Sequence, residues 1–334
     1  MRLLIVKLGA LGDVVRTSYF ARALKQKFGG RLRLSWVTAP ASADLLRFNA
    51  NVDDLWTNFE STRGHRFDRV YSLDDEIDTL QAVSRINAVS ITGAFLKDGV
   101  GAYTEDSAAW FDMGLLSRYG KARADELKKR NQRSHAEIFS EIFQVKNVAP
   151  DFYGDPENQR WAASLLPPPS CVGINPYSGG RWPSKELTTP VIHELIDKLL
   201  GPSSPFGDSC HVVLLGARED FQRNLELVAR VKTPRLRAVN TDESVQHFAA
   251  VISRLRYLIT SDSLALHLAV AQGIPFTAFF SPTSAAEIDT WSIGSKLTST
   301  APDYCSYRKD ADNSSITASR ILVAIQENKA AKVR

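Results

Sequence analysis

The segment L-G-A-L-G-D near the start of the chain carries Gly9, Gly12 and Asp13, residue types that shape a turn and present a carboxylate. The apolar run Leu3–Val6 before it predicts a buried parallel strand. The two glycines predict a tight turn, and Asp13 is predicted to cap a helix that ends near Phe28. The spacing G-x-x-G differs from the dinucleotide fingerprint G-x-G-x-x-G, and a carboxylate here would repel a pyrophosphate. Asp13 is therefore predicted to face a substrate hydroxyl at the ligand-binding edge of a sheet, with a purely structural helix cap as the alternative.

A second loop, N-P-Y-S-G-G-R-W-P-S-K, runs from Asn175 to Lys185 between a predicted strand and a predicted helix. Its two adjacent glycines allow close approach of the backbone, Ser178 adds a hydroxyl, and Arg181 and Lys185 place positive charge at the carboxyl end of the strand. These features predict a clamp for a pyrophosphate. The alternative is an exposed loop whose basic side chains face only water.

A third segment, T-S-D-S-L-A-L-H, takes an apolar strand through Asp262 and Ser263 into an apolar helix. Asp and Ser are common helix caps, and the free backbone N–H groups at a helix start also suit a phosphate. His267 lies four residues after Ser263 on the same helix face, and its side chain is expected to point toward the helix N-terminus. His267 either contacts a ligand there or packs in the core.

Strand-like and helix-like segments alternate along both halves of the chain, which predicts an α/β fold with two Rossmann-like, doubly wound parallel sheets. Breaks rich in proline, at residues 147–156 and 166–170, separate the halves. We predict one domain at residues 1–155, a second at 156–318, and a C-terminal helix and tail at 319–334. Within the first domain, residues 121–143 predict one long polar helix.

The composition bounds the class of protein. The chain has 334 residues, of which 44% are hydrophobic and 23% charged, enough for two hydrophobic cores. Its net charge of +4 suits an anionic ligand, and no basic stripe of the kind that binds nucleic acid occurs. The three cysteines are far apart and form no C-x-x-C pair, so we expect neither disulfides nor a zinc site, and a cytoplasmic location. No apolar run approaches the ~18 residues of a membrane span.

Taken in order, the motifs L-x-x-L-G-D, W-P-x-K and D-S-x-x-x-H resemble glycosyltransferase family 9, the ADP-heptose:lipopolysaccharide heptosyltransferases, over nearly the whole chain. The resemblance implies a GT-B fold, in which an N-terminal acceptor-binding domain and a C-terminal nucleotide-sugar-binding domain face one another across a cleft. It also implies site residues: Asp13 as the general base, Lys185 or Arg181 as the ligand of the donor phosphate, and Asp262 and Ser263 as the donor-binding helix start. Glu219 falls near the position at which the family binds the nucleoside ribose.

The implied reaction is an inverting, metal-independent transfer of a heptosyl group from an ADP-activated heptose to a hydroxyl of a glycan or glycolipid acceptor resembling the lipopolysaccharide core. One positioned carboxylate can serve as the base of such a displacement. The sequence has no D-x-D or histidine-rich cluster, so we expect no metal and no other cofactor besides the ADP-sugar donor.

Three other functions remain to be compared with this one. The first is a transferase of the same fold that acts on a soluble metabolite or a protein, and the second is a non-catalytic nucleotide-sugar-binding protein. The third, a nicotinamide oxidoreductase, is disfavoured because no acidic residue ends the predicted second strand, Leu32–Val37, to bind a ribose.

The basic stretch from Lys121 to Arg133 has two interpretations. It contacts phosphates of a glycolipid or the surface of the inner membrane, which would make the protein peripheral to that membrane. Alternatively, it is a solvated helix face with ion pairs between residues four apart. No nucleic acid partner is expected.

Overall fold

The computed structural model describes residues 1–166, 171–178, 180, 182–241 and 243–331. The chain forms two compact units, of which the first contains Met1–Tyr153 and Ala286–Asp289 and the second contains Gly154–Ala285 and Thr290–Arg334. The short segment Ala286–Asp289, which the sequence assigns to the second domain, packs with the first unit. There the backbone carbonyl of Glu287 accepts a hydrogen bond of 2.8 Å from the backbone N–H of His135.

The first unit contains one six-stranded sheet and its surrounding helices. Its strands are β1 (Arg2–Val6), β2 (Arg33–Val37), β3 (Asp54–Trp56), β4 (Arg69–Ser72), β5 (Ile91–Lys97) and β6 (Val100–Tyr103). Its helices are α1 (Leu11–Phe28), α2 (Pro40–Ala43), α3 (Ile77–Val83), α4 (Ala108–Phe111), α5 (Lys121–Arg130) and α6 (His135–Ile142).

The second unit also contains a six-stranded sheet. Its strands are β7 (Cys171–Asn175), β8 (His211–Leu214), β9 (Leu236–Ala238), β10 (Tyr257–Ser261), β11 (Phe276–Phe280) and β12 (Gly294–Thr298). Its helices are α7 (Pro156–Leu165), α8 (Thr189–Leu200), α9 (Arg218–Val231), α10 (Val245–Ser253), α11 (Leu264–Ala271) and α12 (Ala318–Ala331).

The two sheets have the same strand order. The strand order is β3-β2-β1-β4-β5-β6 in the first and β9-β8-β7-β10-β11-β12 in the second, which is the order of the doubly wound nucleotide-binding folds. Neighbouring strands are parallel, except that β6 pairs antiparallel with β5. The prediction of two doubly wound α/β domains is confirmed, with β6 as an antiparallel addition at the edge of the first sheet.

The apolar central strands place the core where the sequence predicts it. Leu3–Val6 in β1 have no exposed surface, and every residue of β10 and β11 is buried. Strands covered by helices on both faces need continuous apolar runs, and these three have them. The chain leaves the core at the polar residues that follow these strands, such as Lys7 after β1 and Asp262 after β10.

The prediction of one helix over residues 121–143 was wrong, because the chain breaks at residues 131–134 between α5 and α6. The hydroxyl of Ser134 accepts a hydrogen bond of 3.2 Å from the backbone N–H of Glu137, and the Glu137 carboxylate accepts one of 2.6 Å from the backbone N–H of Ser134. This reciprocal capping box satisfies the N–H groups of a new helix start. The sequence S-x-x-E at residues 134–137 is the pattern of a capping box, and it could have predicted this helix start.

Within the described part of the chain, we find no helix that is both long and apolar enough to cross a membrane.

Candidate functional site

The predicted site segments follow the two positions at which the strand order reverses. In the first sheet β1 and β4 are neighbours and their following segments leave in opposite directions, and β7 and β10 have the same relation in the second sheet. Ligands of doubly wound folds bind beyond the carboxyl ends of such strand pairs. Asp13 follows β1, Lys185 follows β7, and Asp262 follows β10.

Asp13 lies in the first turn of α1, which begins at Leu11 with Ala10 as its N-cap. The prediction that Asp13 caps this helix was wrong, and Gly12 lies inside the helix, whereas Gly9 precedes it. The carboxylate of Asp13 instead forms an ion pair of 2.7 Å with the guanidinium of Arg16, one turn further along. A first-turn carboxylate is also favoured by the helix dipole. Asp13 is about one-third exposed, so a substrate can reach it.

Sequence reasoning missed a buried ion pair between Lys7, just after β1, and Asp74, just after β4. Nζ of Lys7 lies 2.5 Å from one carboxylate oxygen of Asp74, and the backbone N–H of Leu8 donates to the other oxygen. Burial raises the pKa of Asp74, and the charge of Lys7 opposes that rise. The pair fixes the start of the loop that leads to Asp13. Neighbouring parallel strands bring their carboxyl ends together, so a lysine after one strand and an acid after the next was a usable signal.

In the second unit, the structure brings Lys185 and Asp262 together. Nζ of Lys185 donates to the backbone carbonyl of Asp262 at 2.8 Å and to its carboxylate at 3.0 Å. The two side chains are only 13% and 18% exposed, so they interact largely out of water. Two of the three N–H groups of the ammonium donate to Asp262, so the third can donate to a further acceptor such as a phosphate oxygen.

His267 completes this cluster from the first turn of α11. Its Nε2 lies 3.8 Å from the second carboxylate oxygen of Asp262, and its side chain is buried. Burial by itself would raise the pKa of Asp262, but the charges of Lys185 and His267 outweigh burial and hold that pKa well below its ordinary value. Asp262 is therefore ionised at neutral pH and orients the Lys185 ammonium.

Polar side chains tie the ends of β7 and β10 to the start of α11. The buried side-chain amide of Asn175 donates to the hydroxyl of Thr260 at 3.2 Å and to that of Ser263 at 3.4 Å, and these two hydroxyls lie 3.0 Å apart. Ser263 is the N-cap residue of α11, as the sequence suggested, but its side chain forms no capping hydrogen bond. Its hydroxyl is directed toward the strand ends instead.

The loop that carries Lys185 is closed at its base and anchored from two sides. The backbone N–H of Leu187 donates to the carbonyl of Pro176 at 2.8 Å, which brings the two ends of the loop together. Arg223 forms two hydrogen bonds of 3.1 Å with Glu186, and Asn313 donates to the backbone carbonyl of Glu186 at 2.7 Å. These contacts hold the short 3-10 helix Pro183–Lys185 in place.

The other three residues predicted to bind the nucleotide-sugar donor are Ser178, Arg181 and Glu219. The hydroxyl of Ser178 donates to the carbonyl of Trp182 at 2.9 Å, so in this structure Ser178 shapes the loop. Arg181 lies outside the described residues. Glu219 is exposed in the first turn of α9, and the described contacts do not join it to Lys185 or Asp262. Its buried neighbour Asp220 instead accepts a hydrogen bond from the backbone N–H of Ala217 at 3.1 Å.

The site of the second unit therefore offers a lysine ammonium, a histidine and the backbone N–H groups of a helix start, all around one ionised carboxylate. Such a set can bind a diphosphate through charge and hydrogen bonds. Among the residues that the structure describes, no group of three or more His, Cys, Asp and Glu side chains is arranged to hold a metal ion.

Comparison with protein families gives one match. Residues 198–315 match the family model described as glycosyltransferase family 9 (heptosyltransferase). The matched segment contains Asp262, Ser263, His267 and Glu219, and it excludes Asp13 and Lys185. The resemblance seen in the sequence motifs is confirmed. No curated protein sequence matches the chain.

Solved structures with the same fold cover nearly the whole chain. Escherichia coli heptosyltransferase WaaC with ADP has a TM-score of 0.69 at 18% identity, over 98% of this chain and 100% of WaaC. E. coli ADP-heptose lipopolysaccharide heptosyltransferase II has a TM-score of 0.67 at 16% identity, with 100% of both chains covered. The iron-containing dodecameric glycosyltransferase TibC from enterotoxigenic E. coli H10407 has a TM-score of 0.54 at 12% identity, over 99% of this chain and 76% of TibC. At these identities the likeness concerns the fold, and it confirms the predicted fold class.

Proposed function

We propose that this chain, a glycosyltransferase similar to family 9, transfers a heptosyl group from an ADP-activated heptose to a hydroxyl of a glycan or glycolipid acceptor in the cytoplasm. The descriptions of two proteins with the same fold support this choice, since one contains ADP and the other is an ADP-heptose lipopolysaccharide heptosyltransferase. A glycan that resembles the lipopolysaccharide core is the acceptor class we propose.

The observation that carries the proposal is the contact of Lys185 with Asp262 at the start of α11, in the unit that contains most of the family match. A nucleoside diphosphate gains negative charge when its bond to the anomeric carbon breaks. The Lys185 ammonium and the first N–H groups of α11 are suited to stabilise that charge, because a helix start has N–H groups without partners in the helix.

Asp13 is the proposed general base. The acceptor hydroxyl must lose its proton as its oxygen attacks the anomeric carbon from the side opposite the leaving diphosphate, and this attack inverts the configuration. Arg16 directs the Asp13 carboxylate through their ion pair, and the Lys7–Asp74 pair fixes the preceding loop. In this mechanism cationic side chains stabilise the negative charge of the leaving diphosphate, which a divalent metal would otherwise stabilise.

A nucleotide panel tests the donor. We expect ADP to raise the melting temperature more than UDP or GDP at equal concentration, since a ligand present at 100 times its Kd stabilises a protein by about 2.7 kcal/mol. Equal stabilisation by all three nucleotides would contradict an ADP-sugar donor.

A second measurement separates an enzyme from a binding protein. Wild type should slowly release ADP from an ADP-heptose by donor hydrolysis, and the Asp13→Ala variant should not. Tight ADP binding without any release of ADP by the wild type would identify a non-catalytic nucleotide-sugar-binding protein instead.

A further inference from the structure

The side-chain amide of Asn313 holds the backbone on both sides of Lys185. Its NH₂ group donates to the backbone carbonyl of Ser184 at 3.3 Å and to that of Glu186 at 2.7 Å. The last carbonyls of a helix have no partners within it, and the short 3-10 helix Pro183–Lys185 ends here. An amide has two N–H donors and can satisfy two such carbonyls. Asn313 therefore fixes the backbone from which the Lys185 side chain extends.

Asn313 ends a stretch of chain, residues 304–313, that we call the bridging segment. This segment contacts Ser184 at two further points. The backbone N–H of Ser184 donates to the carbonyl of Lys309 at 3.3 Å, and the Ser184 hydroxyl donates to the carbonyl of Arg308 at 3.2 Å. Ser184 is buried, and a hydrogen bond is stronger in such surroundings than in water. The residue before Lys185 is thus held by a single segment that is remote from it in sequence.

The other end of the bridging segment is attached to the loop that follows β11. The backbone N–H of Cys305 donates to the carbonyl of Ser281 at 2.9 Å, and that of Tyr307 donates to the carbonyl of Pro282 at 2.8 Å. Strand β11 pairs with β10, and Asp262 directly follows β10. The bridging segment therefore links the strand ends beside Asp262 to the 3-10 helix that carries the lysine.

We propose that Asn313 is a positioning residue, which holds Lys185 where its ammonium reaches Asp262 and a phosphate of the donor at the same time. A lysine side chain has a flexible four-carbon stem, so its charge is placed accurately only when the backbone beneath it is fixed. Fixing the group in advance also lowers the entropy cost of binding. The inference rests on the proposed function for the identity of the ligand, a nucleoside diphosphate.

Calorimetry with ADP and the full chain tests the inference. Asn313→Ala removes both N–H donors and should weaken ADP binding roughly tenfold. Asn313→Gln keeps two donors on a longer side chain and should recover part of that affinity. In the Lys185→Ala background, Asn313→Ala should change the Kd of ADP by less than about twofold, because its effect passes through the lysine. An equal loss of affinity with and without Lys185 would overturn the inference.

The matched control is Asn328→Ala in α12. The buried amide of Asn328 also forms two hydrogen bonds, with the hydroxyl of Tyr257 at 2.9 Å and with the carbonyl of Phe276 at 3.2 Å. These partners are the first residues of β10 and β11, at the end of the sheet opposite to Asp262. Asn328→Ala should therefore lower the melting temperature and leave the Kd of ADP unchanged. A similar loss of ADP affinity in this control would overturn the inference, because general loosening of the unit would then explain the effect of Asn313→Ala.

A measurement without any nucleotide separates this inference from the proposed function. Denaturant unfolding of Lys185→Ala, Asp262→Asn and their double variant gives the coupling free energy between the two residues. This coupling should fall by roughly half when Asn313→Ala is present in all four proteins of the cycle. Reduced coupling together with equal stabilisation by ADP, UDP and GDP would support the positioning role and contradict an ADP-sugar donor. Unchanged coupling would overturn the positioning role, whichever nucleotide the protein prefers.

Discussion

Asp13 is the residue at which the proposed chemistry can be tested most directly, because a base acts only when the acceptor oxygen attacks. Asp13→Asn removes the proton-accepting carboxylate, and the amide oxygen can still accept a hydrogen bond from Arg16. We expect kcat to fall by ~10²–10⁴ while the affinity for ADP stays nearly unchanged. Steady-state kinetics and calorimetry measure the two quantities.

The control for this change is Asp78→Asn, which alters an exposed acidic residue in the first turn of another helix of the same unit, α3. It should leave kcat at the wild-type value. Loss of ADP binding by Asp13→Asn together with normal turnover would rule out the assignment of Asp13 as the base.

Lys185 is the residue for which we expect the largest loss of donor binding. Removing a hydrogen bond to a charged group costs roughly 1.5–3 kcal/mol, so Lys185→Ala should weaken ADP binding at least tenfold in calorimetry. Lys198→Ala, which changes an exposed lysine on the following helix α8, is the control and should bind ADP normally. Arg181→Ala should cost less than Lys185→Ala, and the opposite order would assign the phosphate contact to Arg181.

Asp262 makes a prediction about pH. Its pKa is lower in the folded state than its ordinary value of 3.8, so its contribution to stability is fully present above about pH 4 and is lost as the pH falls further. Asp262→Asn should lower the free energy of unfolding by roughly 3 kcal/mol at pH 7, because it leaves the mostly buried Lys185 charge without its carboxylate. Denaturant unfolding at several pH values measures the difference between wild type and variant, and a difference that stays constant down to pH 2 would contradict the ion-pair explanation.

At the scale of the element, the loop between β1 and α1 depends on the buried pair of Lys7 and Asp74. Lys7→Met should destabilise the protein by about 3–5 kcal/mol, because the buried Asp74 charge loses its partner. The double variant Lys7→Met/Asp74→Asn should recover part of that loss, since neither charge is then present. A double-mutant cycle from denaturant unfolding measures the coupling, and additive losses would mean that the two residues act independently.

Most elements could be predicted from the sequence because their apolar runs are long and uninterrupted, as in β1, β7 and β11. The strands that sequence reasoning missed, β3, β6 and β12, lie at sheet edges. No residue of β3 or β6 is fully buried, and β12 contains the polar stretch Gly294-Ser-Lys. An edge strand has a neighbouring strand on one side only and is less buried than a central strand, so it can form without a continuous apolar run. Such a strand is therefore hard to identify from its apolar residues.

The residues of the candidate site also divide into those that could be predicted from the sequence and those that could not. Lys185, Asp262 and His267 were predictable because each follows or begins an element at a strand end, and the structure brings them together. The role of Asp74 was not recognised because an acid after a strand is also a common helix cap, and its lysine partner lies 67 residues earlier. Which of the several polar residues in the 176–187 loop faces a ligand depends on anchors such as Asn313, which are remote in sequence.

At the scale of the whole molecule, metal content distinguishes proteins that share this fold, since the solved structures include an iron-containing transferase. In the second unit, Lys185 and the start of α11 supply positive charge where a diphosphate would lie, and His267 lies beside Asp262. Positive protein groups at this position would stabilise the leaving ADP without a divalent ion.

We therefore expect the protein, as purified, to keep its ADP affinity and its transferase activity in excess EDTA. EDTA already saturated with magnesium is the matched control, because it has the same ionic strength and does not lower the free magnesium concentration. Elemental analysis of the same sample should give less than one iron per chain. Loss of activity in EDTA but not in the control, with recovery after addition of a divalent metal, would show that a metal stabilises the leaving group and that Lys185 supports it only indirectly.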